Sequence, residues 1–369
     1  MTARNQPHHI AWPMTQLSQI YLLSLLLTTL SGCTTLGYYS QAVRGHVSLM
    51  MASEPVSDVL ASHEIPSELR EKLLVSQQAR LFALTELALP AGDAFTDYVE
   101  LGRPWVVVNL VAVPEFSLEP HRWCYPFLGC QAYRGYFSLE DAQQEQSVFI
   151  NEGYDTLIGG VTAYSTLGWF DDPLHSGFTH LPEDRMVALM FHELAHRVVY
   201  IGGDTAFNES FATAVELEGL KLWLIQQGNP DAFQQALERL RHRNETLTLV
   251  QQASTELAQI YKQKETLPPE QLRLDKRVVL DNLLQDYNQL STHWNQPGPL
   301  GRNPSALNNA NLALFQQYNQ YVPGFRQLLK DQGGDFASFY KAVKLLSEQP
   351  DDERTQTLTG LSERFDEDL

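Results

Sequence analysis

The sequence predicts an α+β fold that is predominantly α-helical, with a small β-sheet in the N-terminal half and a helical C-terminal region. Three observations carry this. The β-branched and aromatic runs that read as strands lie between about residues 104 and 164. From Pro182 onward, apolar residues recur at helical spacing, punctuated by Gly and Pro. The chain has 369 residues, 43% of them hydrophobic, which is ample for a buried core.

Residues 36–88 read as helical. Ser67-Glu68-Leu69-Arg70-Glu71-Lys72-Leu73-Leu74 continues into Leu81, Phe82, Leu84 and Leu87 at close to helical spacing. Pro66 suits a first turn, and Pro90 ends the pattern. Trp105 to Val113 is a β-branched run between Pro104 and Pro114, the signature of a buried strand. Tyr133 to Phe137 reads as a second strand and Thr156 to Tyr164 as a third, with a helix from Leu139 to Asn151 between them. Pro182-Glu183-Asp184 opens a helix that Gly202-Gly203 closes. Asp204 is placed to cap the next helix, which runs to about Gly228. Two long polar helices, about 231–263 and 269–294, read as an exposed hairpin with Pro268 at the joint. Further helices cover about 306–320, 322–332 and 334–348, and the acidic residues 350–369 read as a frayed tail.

The N-terminus is of another kind. Ile20 to Leu30 is an apolar run too short to span a bilayer comfortably, and it suits the core of a secretory signal. Leu30-Ser31-Gly32-Cys33 follows, and it resembles the lipobox of bacterial lipoproteins. That resemblance makes residues 1–32 a signal peptide and Cys33 an acylated N-terminus; the plainer reading is an ordinary signal with an incidental cysteine. Only Arg4 is charged ahead of the run, so Met1 and Met14 both stand as starts. Thr34 after Cys33 implies a lipid-anchored protein of the bacterial envelope, on the periplasmic face of the outer membrane. The remaining cysteines, Cys124 and Cys130, form an even pair, which in an exported protein favours a disulfide over two buried thiols. A net charge of −18 argues against nucleic acid as a partner.

The chemistry concentrates at His192-Glu193-Leu194-Ala195-His196. Histidines four apart on a helix share one face and can reach one ion. Glu193 is next to the first of them, where a carboxylate can take a proton from a water held by the metal. The motif sits in the apolar helix Met186 to Phe191, so two surface histidines are a poor alternative. Glu209 opens the next helix and can add a third, carboxylate ligand, which leaves a fourth position open as catalytic zinc requires.

Phe191 to His196 followed by Phe207-Asn208-Glu209-Ser210-Phe211-Ala212-Thr213-Ala214-Val215-Glu216 resembles the zinc core of gluzincin peptidases of the aminopeptidase N type, with a shorter spacing between the halves. With Tyr133 to Phe137 and Ala163 to Pro173, the chain is similar over about residues 33–345 to a family of bacterial aminopeptidase-like proteins, many of them lipoproteins. The resemblance implies a single zincin-like domain over 33–349, with a helical part at 36–88, a sheet at about 104–164, zinc helices at 182–228 and a helical part at 231–348. It implies one zinc ion per chain on His192, His196 and Glu209, with Glu216 behind them. It implies hydrolysis of peptide substrates with Glu193 as general base. It makes Gly159-Gly160-Val161-Thr162-Ala163-Tyr164 an edge strand for the extended substrate, and Tyr318 or Tyr321 a donor to the oxyanion. The Gly-x-x-Glu-Asn element that binds a substrate's amine in aminopeptidase N is missing; Asp171 or Asp172 stands as its substitute. The competing class is a non-enzymatic envelope binding or assembly protein on a peptidase-like fold, docking through the helices at 231–294. A third is a zinc hydrolase acting on something other than peptides.

Overall fold

In a computed structural model, the described residues are 37–366 apart from 126–128, 163–165, 167–170, 296, 302–303, 305 and 317–319. The signal-like run and Cys33 therefore lie outside the described residues, as do Ala163, Tyr164 and Tyr318. Backbone contacts divide the chain into residues 1–48 and 49–369. Residues 37–52 are helical (α1); everything below concerns the second unit.

The segment read as one helical stretch is broken twice by proline, which lacks an amide hydrogen and favours extended backbone at the residue before it. Glu54–Pro55 is a short strand (β1), and α2 (Val56–Ala61) and α3 (Ser67–Thr85) follow. Pro66 stands just outside α3, with extended ψ, rather than within its first turn.

Three small sheets form among the described residues, not one, and one of them is built from strands outside the β-rich region. In the largest, β3 (Val107–Pro114) pairs antiparallel with β6 (Arg134–Tyr136) on one side and β7 (Tyr154–Val161) on the other. β7 is thus an edge strand, joined to β6 through α4 (Leu139–Asn151). A second sheet has the order β1–β2–β8, where β2 is Asp97–Val99 and β8 is Leu174–His175. β8 pairs parallel with β2 and leads through the short α5 (Ser176–Thr179) to the motif helix. The third is a hairpin of β4 (Trp123–Tyr125) and β5 (Gly129–Gln131), cross-linked by a Cys124–Cys130 disulfide.

The main core lies among helices. α6 (Glu183–Ala195) and α7 (Thr205–Gln226) pack on each other and on α3, α11 (Val322–Asp331), α12 (Phe336–Ser347) and α13 (Asp351–Arg364). Phe82 of α3 stacks on Phe191 of α6 and meets Trp223 of α7 edge-on. The predicted hairpin is α8 (Phe233–Tyr261) and α9 (Pro269–Ser291), with its own core of Val250, Leu257, Val279 and Leu283. It is docked on the sheet, because buried Lys276 pairs with Asp155 at 2.6 Å and donates to the Glu115 carbonyl. α10 (Asn309–Gln316) completes the helices.

The acidic tail is not frayed over its first part. α13 buries Leu358 and Leu361, and its Arg354 pairs with Asp204 at 2.6 Å. Three acidic residues in its first turn favour the positive end of its dipole, which is why an acidic sequence can be helical here. No described helix is long and apolar enough to cross a membrane.

Candidate metal centre

α6 begins behind Pro182 with Glu183 and Asp184 in its first turn and buries Met186, Val187, Met190, Phe191 and Leu194. The helix therefore runs through the core and brings His192 into its last turn, with His196 as the C-cap. The chain then reverses through Gly203, whose φ of +86° suits a residue without a Cβ. Asp204 caps α7 by accepting from the Phe207 amide at 3.0 Å. Buried Asn208 accepts from the Ile201 amide at 2.9 Å and donates to the Ile201 carbonyl at 2.8 Å. This clamp fixes how α7 starts relative to the loop, and so where Glu209 points.

His192, His196 and Glu209 converge, each offering a ligand atom within 4.8 Å of the others. The two Nε2 atoms are 3.3 Å apart. Glu209 carboxylate oxygens lie 3.4 Å from His192 Nε2 and 3.8 Å from His196 Nε2. Zinc–ligand bonds of about 2.0–2.2 Å in a tetrahedron set ligand atoms about 3.3–3.6 Å apart, so the donor set suits that ion. Two neutral imidazoles facing through Nε2 have opposed lone pairs unless one carries a proton there; a shared cation removes that conflict. His192 Nδ1 lies 3.0 Å from Glu216 Oε2, which leaves Nε2 as the free lone pair. His196 Nδ1 is buried without a partner among the described residues.

The electrostatics of the metal-free group follow. Burial opposes charge on His192, but Glu209 and Glu216 outweigh it and hold its pKa well above the usual histidine value. Burial depresses His196 to about 4, with the His192 charge adding to the effect. Burial tends to raise the Glu209 pKa as well, but its hydrogen bond to His192 and the nearby imidazoles bring it below the usual carboxylate value. Burial foremost pushes the Glu193 carboxyl up to about 7; His192 opposes this, and the charges of Glu209, Asp172 and Glu216 add to it.

Other predicted site residues fall as follows. Asp172 is buried, accepts from the Thr166 amide at 2.8 Å, and is close enough to Glu193 to act on its pKa. Asp171 is half exposed and pairs with Arg197 at 3.3 Å. Gly159 and Gly160 lie on the edge strand β7. Tyr321 is turned elsewhere: its hydroxyl meets Thr355 of α13 at 3.3 Å, and its amide donates to Ser210. Sequence reasoning missed Asn208, whose amide gave no signal apart from its place beside Glu209, and Tyr200, whose ring meets that of His196 edge-on.

The model of a family described as "putative aminopeptidase" matches residues 37–358, nearly the whole chain. The chain belongs to that family. The match spans both helices of the candidate metal site, the sheets and most of α13. No curated protein and no solved structure matches the chain.

Proposed function

We propose that this protein is a zinc-dependent metallopeptidase, and specifically an aminopeptidase. The observation that carries the reading is the convergence of His192, His196 and Glu209, two imidazoles and one carboxylate, beside the half-buried Glu193. Family membership supports the choice of peptide substrates. Two histidines and one carboxylate fit a catalytic rather than a closed structural zinc site.

Bound zinc would supply Lewis-acid polarisation of the scissile carbonyl and would acidify water. Glu193 accepts the proton of the attacking water and hands it to the departing amine nitrogen as the amide C–N bond breaks. Burial, which raises the Glu193 carboxyl in the metal-free group, favours its taking up that proton and returning it to the nitrogen. His192 is kept by Glu216 in the tautomer that leaves Nε2 free. Asp172, buried near Glu193, is the side chain proposed to receive the substrate's free amine, and β7 the edge along which the extended peptide pairs. Ala163 and Tyr164 of that segment keep their predicted roles as proposals.

The test is a peptide digest with free and N-blocked substrates, run on wild type and Glu193→Gln. Wild type should release residues from free N-termini only. The variant should keep its zinc and lose about 10²–10⁴ in turnover. Full turnover by Glu193→Gln removes it as the base, and equal cleavage of blocked peptides removes the aminopeptidase assignment. For localisation, Cys33→Ser should move the protein from the membrane to the soluble fraction; a soluble wild type rules out the lipid anchor.

A further inference from the structure

Tyr200 lies four residues beyond His196, in the loop between α6 and α7, and outside the donor set. Its ring stands edge-on to the His196 ring, centroids 6.4 Å apart, and it lies within electrostatic reach of Glu209. The loop thus carries an aromatic ring back beside His196, within electrostatic reach of Glu209. Whereas His196 is 7% exposed, Tyr200 is 36% exposed, so it sits where the group opens to solvent.

A second element holds it. The Tyr200 side chain hydrogen-bonds Gln131, the residue after Cys130 on β5. The Cys124–Cys130 disulfide fixes the two strands of that hairpin to each other, so Gln131 meets Tyr200 from a covalently stapled element. A phenol has an ordinary pKa of about 10 and keeps its proton at neutral pH, so it can donate.

We propose that Tyr200 donates a hydrogen bond to the scissile carbonyl oxygen as that oxygen gains negative charge, with Gln131 of the disulfide-linked hairpin as its positioning residue. The inference rests on the peptidase reading and gives that site its oxyanion donor. No proton is transferred: Tyr200 keeps its hydrogen while water adds to the carbonyl carbon, and Glu193 carries the proton to the leaving nitrogen. The other described candidate, Tyr321, carries its hydroxyl to Thr355 of α13, whereas Tyr200 stands against His196.

The experiment is calorimetric binding of two probes to the zinc-loaded protein. One is a phosphinic pseudodipeptide, whose PO₂⁻ group has an oxygen where the oxyanion forms. The other is a thiol with the same side chains and no such oxygen. Tyr200→Phe should weaken the phosphinic probe about 10- to 100-fold, with zinc content and thiol affinity unchanged. Gln131→Leu should weaken the same probe by a smaller factor, about 3- to 10-fold, again sparing the thiol. Unchanged phosphinic affinity in Tyr200→Phe overturns the assignment while leaving the peptidase reading intact. Equal loss for both probes makes Tyr200 structural and also overturns it. A wild type that holds zinc but binds neither probe and cleaves no peptide overturns the peptidase reading and this inference with it.

Discussion

Glu216 reaches the outer nitrogen of His192 at 3.0 Å, and that one contact governs what the imidazole can do. With a carboxylate accepting from Nδ1–H, the ring cannot flip and its Nε2 lone pair stays aimed at the metal position. Glu216→Gln should therefore lower zinc affinity about 10- to 100-fold, read by competition with a chelator; an unchanged affinity would show that packing alone orients the ring. The same carboxylates set a pH dependence. In the metal-free site Glu209 and Glu216 outweigh burial and keep His192 protonated well above the ordinary histidine range. Zinc must displace that proton. Affinity should accordingly keep rising with pH above about 6.5, where an unperturbed histidine is already neutral. Calorimetry at pH 7 in buffers of differing ionisation enthalpy should register proton release on zinc binding, and none would contradict the assignment.

At the scale of elements, the site depends on how closely α7 crosses α6. Gly219 permits that approach: a Cβ there would lie 2.8 Å from Leu87 Cδ1 and 2.9 Å from the ring of Phe191. Phe191 is fully buried and immediately precedes His192, so it has little room to yield. Gly219→Ala gains about 1 kcal/mol in helix propensity but incurs about 1–3 kcal/mol of overpacking. A net loss of about 1 kcal/mol is expected from urea unfolding, and a stabilised variant would show that Leu87 gives way instead. The loop between the helices works differently. There Asn208 satisfies both backbone groups of Ile201, so a polar side chain, not an apolar one, sets the direction of Glu209.

At the scale of the whole molecule, the last helix is a structural member. Arg354 of α13 reaches Asp204, the residue that also caps α7, at 2.6 Å, while Leu358 and Leu361 enter the core beside α11. Buried aliphatic side chains contribute roughly 1.5–3 kcal/mol each. Deleting residues 350–369 should therefore cost on the order of 3–6 kcal/mol in urea unfolding. It should also weaken zinc binding, because Asp204 begins the helix that carries Glu209. A deletion variant as stable as the full chain would return α13 to the status of a tail.

Much of this was legible in the chain itself. His192, Glu193 and His196 follow from spacing alone, because 3.6 residues per turn places i and i+4 on one face whatever surrounds them. The strand at Val107–Pro114 and the helix at Leu139–Asn151 follow from composition and punctuation, which act over a few residues. The three-sheet division, the helical fate of the acidic tail and the neighbours of Tyr200 were decided elsewhere. α13 is polar by sequence, and only a partner such as Asp204, 150 residues away, makes its helix worth forming. Tyr200 lies in an irregular loop whose path is set by Gly203, Asn208 and a disulfide-linked hairpin far upstream. Local periodicity determined the candidate ligands of the motif helix; long-range hydrogen bonds and ion pairs, which leave no periodic trace, decided what stands around them.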